Sequence, residues 1–271
     1  MRAFSRREGI KAKLGLNKAI CETIDYAKKY KARLTANQVW FRLFSKKRFS
    51  QKEVTAEMKK MRLKLKTTGE RMIDNRKQLR AKKFCDDYLS RIPSIRLVGV
   101  TGSVAAENSR KNEDIDILLI CAPGTLWQTR LSLRWYLKRK NIPHRRYGQI
   151  EKADEFCFNL WLEENRLGLP SEKRVRKSAI DLIMMKVIMD SGGVYEEFIK
   201  NNQWAEKYVA NGYRKISKIK TQRLEIRAKK NYFMTCLNEV AYWGQIGFIR
   251  LKGPIKYIDK SRAFFHDTQK E

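Results

Sequence analysis

Apolar residues near the start of the chain recur every three or four positions, which is the spacing of a helix that buries one face. Leu16 and Ile20 share such a face and predict a helix over residues 15–30. Thr35 and Ser50 each precede a further segment with helical periodicity, and both residue types are favoured N-caps. The N-terminal part of the chain is therefore predicted to be helical.

The segment after these short helices has the pattern of a hairpin. The last short helix begins with a capping box, since Glu53 follows Ser50 by three residues. The stretch 62–73 predicts a hairpin-like wing, with its turn at residues 67–69. We therefore predict a winged-helix-like helical module over residues 1–72. A helical bundle that binds nothing has the same pattern and stays open as an alternative.

Short runs of β-branched and apolar residues follow, and they alternate with segments long enough for helices. Strands are predicted over residues 95–100, 114–121 and 156–163, and helices over 74–91, 125–140, 174–190 and 194–211. A long basic helix from about residue 215 to 245 precedes a short irregular tail. The chain is thus predicted to be an α+β protein, with a central domain over residues 73–200 and a basic C-terminal helical region over 201–271.

The charge is strongly positive and unevenly distributed. The 271 residues include 60 Lys or Arg and 29 Asp or Glu, a net charge of +31. Residues 1–80 hold 24 basic and 7 acidic side chains, and residues 213–230 hold 8 basic and 1 acidic. Polyanions are attracted by such a field, and phosphate neutralisation releases counterions. We expect RNA or DNA as a partner, with a merely solubilising basic surface as the alternative.

Several classes of protein are excluded by composition. No run of about 18 apolar residues is present, so no membrane span is expected. The five cysteines form no CxxC pair, which favours reduced thiols and a cytoplasmic location over a disulfide framework or a zinc site. With two histidines, the chain also has no His-rich metal site.

Several bulky or reactive residues occupy positions typical of a core. The tryptophans at helix or strand spacing, predicted to be buried, are Trp127, Trp135 and Trp161. Cys121 and Cys157 lie on predicted strands and are interpreted as small buried hydrophobes. Lys186 falls on the predicted helix 174–190, where a solvated helix face is the simpler interpretation and contact with a triphosphate is the alternative.

The richest candidate chemistry lies between the first two predicted strands. Gly102 permits a tight turn directly after a strand, and Ser103 adds a hydroxyl where backbone amides can face an anion. Asp114 and Asp116 are two positions apart on the next strand, so their side chains share one face. Their Cα atoms are then roughly 6–7 Å apart. Two carboxylates at this spacing suit divalent metal, because paired catalytic metals lie about 3.5–4 Å apart.

This arrangement resembles the signature hG[S/G]…DhD of the polymerase-beta-like nucleotidyltransferase superfamily in its minimal prokaryotic form. Gly102-Ser103 is followed, after ten residues, by Asp114-Ile115-Asp116. The resemblance implies a mixed sheet flanked by helices, an NTP substrate, Mg²⁺ as cofactor, and transfer of a nucleoside monophosphate to a hydroxyl. It also implies that Asp114 and Asp116 bind the metal, and that Gly102 and Ser103 hold the β- and γ-phosphates.

The third carboxylate of the family pattern is replaced in this chain by Asn159, on the predicted strand 156–163. An amide can coordinate a metal through its oxygen, but it cannot take a proton at neutral pH. Acidic residues near this strand or on the helix after it are candidate substitutes: Asp154, Glu155, Glu163 and Asp181. The resemblance therefore implies Asp114, Asp116 and Asn159 as catalytic positions, with weak or conditional catalysis.

Two other functions stay open on the sequence. One is a catalytically inactive regulator of the same fold that binds nucleotide or nucleic acid, which Asn159 favours. The other is an antitoxin-like or regulatory partner whose N-terminal helices contact DNA or protein. The aspartate pair favours the enzyme, because adjacent carboxylates are costly unless a cation neutralises them.

Overall fold

The computed structural model describes residues 2–63, 72–146, 149–150, 152–220, 232–251 and 257–265, with side chains from residue 14 in the first helix and from residue 234 in the last. The α-helices in chain order are α1 (Arg2–Lys29), α2 (Ala36–Phe41), α3 (Gln51–Lys60), α4 (Met72–Asp87), α5 (Gly102–Ala105), α6 (Leu126–Arg139), α7 (Arg176–Met184), α8 (Val194–Asn201), α9 (Glu206–Ile216) and α10 (Tyr232–Arg250). The strands are β1 (Ile95–Val100), β2 (Ile115–Cys121), β3 (Phe156–Glu163), β4 (Lys186–Asp190) and β5 (Arg262–Phe264). Short 3₁₀ turns cover Leu89–Arg91, Ser171–Lys173 and Gln203–Ala205.

The chain forms two compact units, each assembled from separate segments. Unit 1 consists of residues 1–70, 169–183 and 202–219. Unit 2 consists of residues 71–168, 184–201 and 220–271. The predicted domains are consecutive along the chain and stay a prediction. They differ from the compact units because two later segments pack with the N-terminal residues.

Unit 1 contains the helices that the N-terminal pattern predicts. The predicted N-cap at Thr35 and the predicted capping box at Ser50 are both confirmed: each side chain accepts a hydrogen bond from the backbone N–H three residues on. Ile20 and Leu43 are fully buried between these helices. The turn at 67–69 lies outside the described residues, so the winged-helix-like interpretation stays a prediction.

Unit 2 is built on a five-stranded mixed sheet with the order β4-β1-β2-β3-β5. β2 and β3 are parallel, while β1 is antiparallel to both β2 and β4, and β3 is antiparallel to β5. Every residue of β1 is buried, and so is every residue of β2 except Asp116. The predicted α+β class, with a mixed sheet flanked by helices, is confirmed.

The predicted helix over 174–190 is wrong in its second half. α7 ends at Met184, and Lys186 begins a strand instead of lying on a helix face. The strand pairs with β1, with Val100 opposite Lys186. The apolar residues after Lys186 satisfy a helical pattern, but the open edge of a buried strand offers them backbone partners and overrides local preference.

The predicted helix 194–211 is also interrupted, at Asn202. The side-chain oxygen of this fully buried residue accepts hydrogen bonds from Leu169 N at 2.9 Å and Trp204 Nε1 at 3.0 Å. α9 then ends at Ile216, and residues 217–220 are not helical, so the predicted long helix from residue 215 is wrong over this stretch. Asn, which bonds readily to nearby backbone, is a common cause of such breaks.

The structure also tests the predictions about the burial of three tryptophans, about the C-terminal tail and about membrane-spanning helices. Trp127 and Trp161 are buried as predicted, whereas Trp135 is 61% exposed on the outer face of α6, so its prediction is wrong. The tail contains the short strand β5 beside β3, where an irregular segment was predicted. None of the helices in the described ranges combines the length and the apolar composition needed to span a membrane.

Candidate metal and phosphate site

The sheet of unit 2 brings two carboxylates and a thiol together. Asp114 lies just before β2 and Asp116 within it, and Asp116 stands opposite Cys157 in the parallel pairing with β3. One ligand atom from each of these three residues lies within 4.8 Å of the others. Because residues two apart on a strand share a face, the predicted juxtaposition of the aspartates is observed.

The turn after β1 closes against the same carboxylates. The backbone N–H of Thr101 donates to the carbonyl oxygen of Asp116 at 2.9 Å. Gly102 has a φ of +64°, and a Cβ atom built on it would lie 2.1 Å from Asp116 Oδ2. Glycine is therefore required here both for the backbone conformation and for space. Ser103 follows in the single turn of α5, and its carbonyl oxygen accepts from Asn108 N at 3.0 Å.

Two polar side chains are directed at the aspartates. Arg145 Nη1 donates to Asp114 Oδ2 at 3.1 Å, and this carboxylate is only 4% exposed. Asn159 Nδ2 donates to Asp116 Oδ1 at 2.6 Å. The sheet register shifts at Asn159, because Phe158 pairs with Ile117 and Leu160 pairs with Leu118. Asn159 is thus an extra residue in β3, which is a common device for directing a side chain near a site.

The thiol of Cys157 has an unusual electrostatic environment. Burial, followed by the charges of Asp116 and Asp114, raises the pKa of this thiol, and the opposing effect of Arg145 is smaller. The group is therefore a protonated thiol at neutral pH. The prediction that Cys157 is buried is confirmed. The residue is more than a small hydrophobe, however, because its sulfur also belongs to the cluster with Asp114 and Asp116.

None of the acidic residues considered as a third carboxylate is seen in contact with Asp114 or Asp116 among the described contacts. Glu163 is at the other end of β3, where its carboxylate accepts from the backbone amides of Thr125 and Leu126. Asp154 accepts from Arg76 at 3.0 Å. The backbone of Glu155 bonds to Ile115, and Asp181 is on α7 in unit 1.

The sequence interpretation did not identify Arg145 or Cys157 as site residues. Arg145 lies in the loop between α6 and β3, and its local pattern gives no indication that it contacts Asp114. A sequence signal did exist for Cys157, since it alternates with Asn159 along β3 and therefore shares its face. Lys186 is held by Glu107, with the Nζ to Oε1 distance at 3.3 Å.

Comparison with known proteins supplies no relative. A scan against family profiles gives no match for this chain, and a search of curated proteins gives none either.

Proposed function

We propose that this protein is a Mg²⁺-dependent nucleotidyltransferase and that its sheet is nucleotidyltransferase-like. The enzyme moves a nucleoside monophosphate from an NTP to a hydroxyl group, on nucleic acid or on another acceptor molecule. One observation carries the proposal. The carboxylates of Asp114 and Asp116 converge beside a turn at Gly102 that leaves no space for a side chain. This combines oxygen ligands for a hard cation with backbone amides at the start of α5, to which a phosphate can bind.

The donor set fits magnesium. Asp114 and Asp116 supply the carboxylate oxygens that Mg²⁺ prefers, and few protein ligands are needed because the ion keeps waters and substrate phosphates. When bound, the ion neutralises phosphate charge and polarises the α-phosphorus. Gly102 and Ser103 then hold the β- and γ-phosphates through their backbone amides and the Ser103 hydroxyl.

The neighbouring side chains orient the carboxylates. Arg145 holds Asp114 through a charge-assisted hydrogen bond, and Asn159 holds Asp116 through its amide. Neither group takes a proton at neutral pH, so neither acts as general base toward the attacking hydroxyl. The residual catalysis comes from positioning and from the charge of the metal.

A second candidate function is a regulator that binds nucleotide without transferring it. The amide of Asn159 favours this function, because it occupies the position of the family's third carboxylate and donates to Asp116. General-base help is typically worth about 10²–10⁴-fold in rate. Both candidates share nucleotide binding at Asp116, and they differ in turnover.

The first experiment tests binding. Equilibrium binding of each radiolabelled NTP is measured with and without Mg²⁺ for the wild type, for Asp116→Asn, and for Asp86→Asn, whose carboxylate is exposed on α4. We expect Asp116→Asn to abolish Mg²⁺-dependent binding while the melting temperature stays the same or rises. The control should bind as the wild type does. Unchanged Mg²⁺·NTP affinity in Asp116→Asn would refute both candidates.

The second experiment separates them. Transfer of label from each NTP to RNA, to protein and to the chain itself is measured for the wild type and for Asn159→Asp. Weak transfer that rises in Asn159→Asp supports the enzyme. Binding without transfer in either protein supports the regulator.

A further inference from the structure

A groove in unit 2 is separate from the carboxylate site. It lies between α6 and α10 and has a volume of about 430 Å³, within the range of ligand pockets. Its walls are largely apolar and remain accessible, with Leu131 on α6 51% exposed and Val240 on α10 70% exposed. Leu237 and Phe248 mark its length along α10, about 16 Å at 1.5 Å per helical residue.

Two arginines give this apolar groove a positive charge. Arg130 and Arg134 both line it, and no ion pair joins either one to an acidic side chain within the described ranges. The Arg130 guanidinium lies 4.3 Å from the centre of the Phe265 ring and donates to Gln245. Burial, followed by the charge of Arg134, lowers the pKa of Arg130, yet guanidinium remains charged at neutral pH. An anion is therefore the missing partner of this pair.

A third polar group in the groove, Gln128, is buried without a side-chain hydrogen-bond partner among the described residues. Gln128 is 8% exposed, and neither its amide nitrogen nor its amide oxygen has a hydrogen-bond partner among the residues described. Buried polar groups in native proteins are almost always hydrogen-bonded, so an orphaned amide needs an explanation. A ligand head group that accepts from this nitrogen supplies one.

We propose that the groove between α6 and α10 binds an amphiphile that has one anionic head group and an unbranched apolar chain. The head group bonds to Arg130, Arg134 and the amide of Gln128, while the chain lies between Leu131 and Val240. A second copy of this protein is a poor occupant, because its own surface is strongly basic and like charges repel. The proposal is independent of nucleotidyl transfer.

The probe is decanoate, below its micelle-forming concentration, with decanol as the neutral chain and acetate as the chainless anion. Binding is measured by calorimetry and by the rise in melting temperature. We expect decanoate to bind about tenfold or more tightly than decanol, as a hydrogen bond to a charged group requires. Acetate should not bind measurably. Equal affinity for decanoate and decanol overturns the anionic site.

Glycines on α10 provide a matched pair of variants. A side chain at Gly244, which lines the groove, or at Gly247, which does not, meets nothing within 4 Å of its Cβ. Gly244→Leu should fill the groove and abolish decanoate binding, whereas Gly247→Leu should leave it intact. Both changes favour helix and should not lower the melting temperature. Decanoate binding that survives in Gly244→Leu overturns the proposed location.

Two polar variants test the head-group contacts. Arg134→Gln should weaken decanoate binding about tenfold and leave decanol binding unchanged. Gln128→Leu should weaken decanoate binding while raising the melting temperature of the free protein, because it removes an unsatisfied buried amide. A lower melting temperature with unchanged decanoate affinity would mean that Gln128 is merely structural, and would overturn its role.

Discussion

The geometry of the carboxylate site depends on one backbone position. Gly102 has a φ of +64°, a region that costs about 1–2 kcal/mol for a residue with a side chain, and its hydrogen faces Asp116 Oδ2. We predict that Gly102→Ala lowers the melting temperature and abolishes Mg²⁺-dependent NTP binding, because the new methyl group displaces the carboxylate. Thermal unfolding and filter binding measure the two effects.

The control for this prediction is Gly15→Ala. Gly15 is inside α1, where an added Cβ meets nothing within 4 Å. Its replacement should stabilise the protein by about 0.5–1 kcal/mol through helix propensity and leave nucleotide binding unchanged. Equal behaviour of the two variants would contradict the role assigned to Gly102.

The carboxyl group of Glu163 makes the stability of the protein depend on pH. Burial raises its pKa above the ordinary value, against the opposing effect of backbone amides at the start of α6. Its contribution to stability is therefore fully present below the ordinary pKa and is lost as pH rises through the raised one. We predict that Glu163→Gln gains stability relative to the wild type across this interval.

Thermal unfolding of both proteins from about pH 4 to 8 measures this difference. Subtracting the wild-type melting temperature removes the pH dependence that the two proteins share through their other charged groups. The melting temperature of Glu163→Gln minus that of the wild type should rise with pH and then level off. A difference that stays constant or falls with pH would show that the carboxyl is not perturbed as described.

At the scale of the elements, α4 holds the loop between the Gly-Ser turn and Asp114 through side-chain hydrogen bonds. Lys77 is 1% exposed, and its Nζ donates to the carbonyl oxygens of Arg110 and Glu113, each at 2.6 Å. Asp74, also on α4, accepts from the backbone N–H of Ser109 at 2.9 Å. One helix thus holds the loop at three successive points before the chain enters β2.

We predict that Lys77→Met destabilises the protein by about 1–3 kcal/mol for each carbonyl group left unsatisfied. It should also weaken Mg²⁺·NTP binding, because the loop that ends at Asp114 loses its anchor. Urea unfolding and NTP titration measure the two effects. Lys83→Met, an exposed change on the same helix, is the control and should change neither. Wild-type stability in Lys77→Met would refute the anchoring role.

At the scale of the whole molecule, the net charge of +31 predicts that the protein binds RNA or DNA and that this binding weakens as salt concentration rises. The surplus is concentrated in residues 1–80 and 213–230. Deletion of the N-terminal residues is a poor test, because Asn211 bonds to the backbone of Trp40 inside unit 1. Substitution of exposed basic side chains preserves the unit.

We predict that Lys46→Gln, Lys47→Gln and Arg48→Gln, combined, weaken nucleic-acid binding and reduce the salt slope by about 0.9 per lost phosphate contact on duplex DNA. The matched control neutralises three exposed basic residues at the end of α6: Lys138, Arg139 and Lys140. Fluorescence anisotropy over a range of salt concentrations measures both slopes. Equal slope changes in the two triple variants would refute the placement of the nucleic-acid surface.

Local sequence predicts those parts of the fold that depend on interactions between residues only a few positions apart in the chain. Thr35 and Ser50 cap helices because their side chains bond to backbone three residues away. Alternation along a strand places Asp114 and Asp116 on one face, and a positive φ requires glycine at position 102. Strands β1, β2 and β3 were predictable for the same reason, since buried apolar runs and their bounding turns are contiguous in the chain.

Contacts between distant segments decided the rest. Lys186 begins a strand because β1 offers an open edge, and Asn202 interrupts a helix because Leu169 donates to it. Arg145 reaches Asp114 from a loop, which no spacing rule encodes. Local pattern records the preferences of a segment, whereas strand pairing and buried charge depend on which groups meet in space. The groove between α6 and α10 exists for the same reason, because neither helix forms it alone.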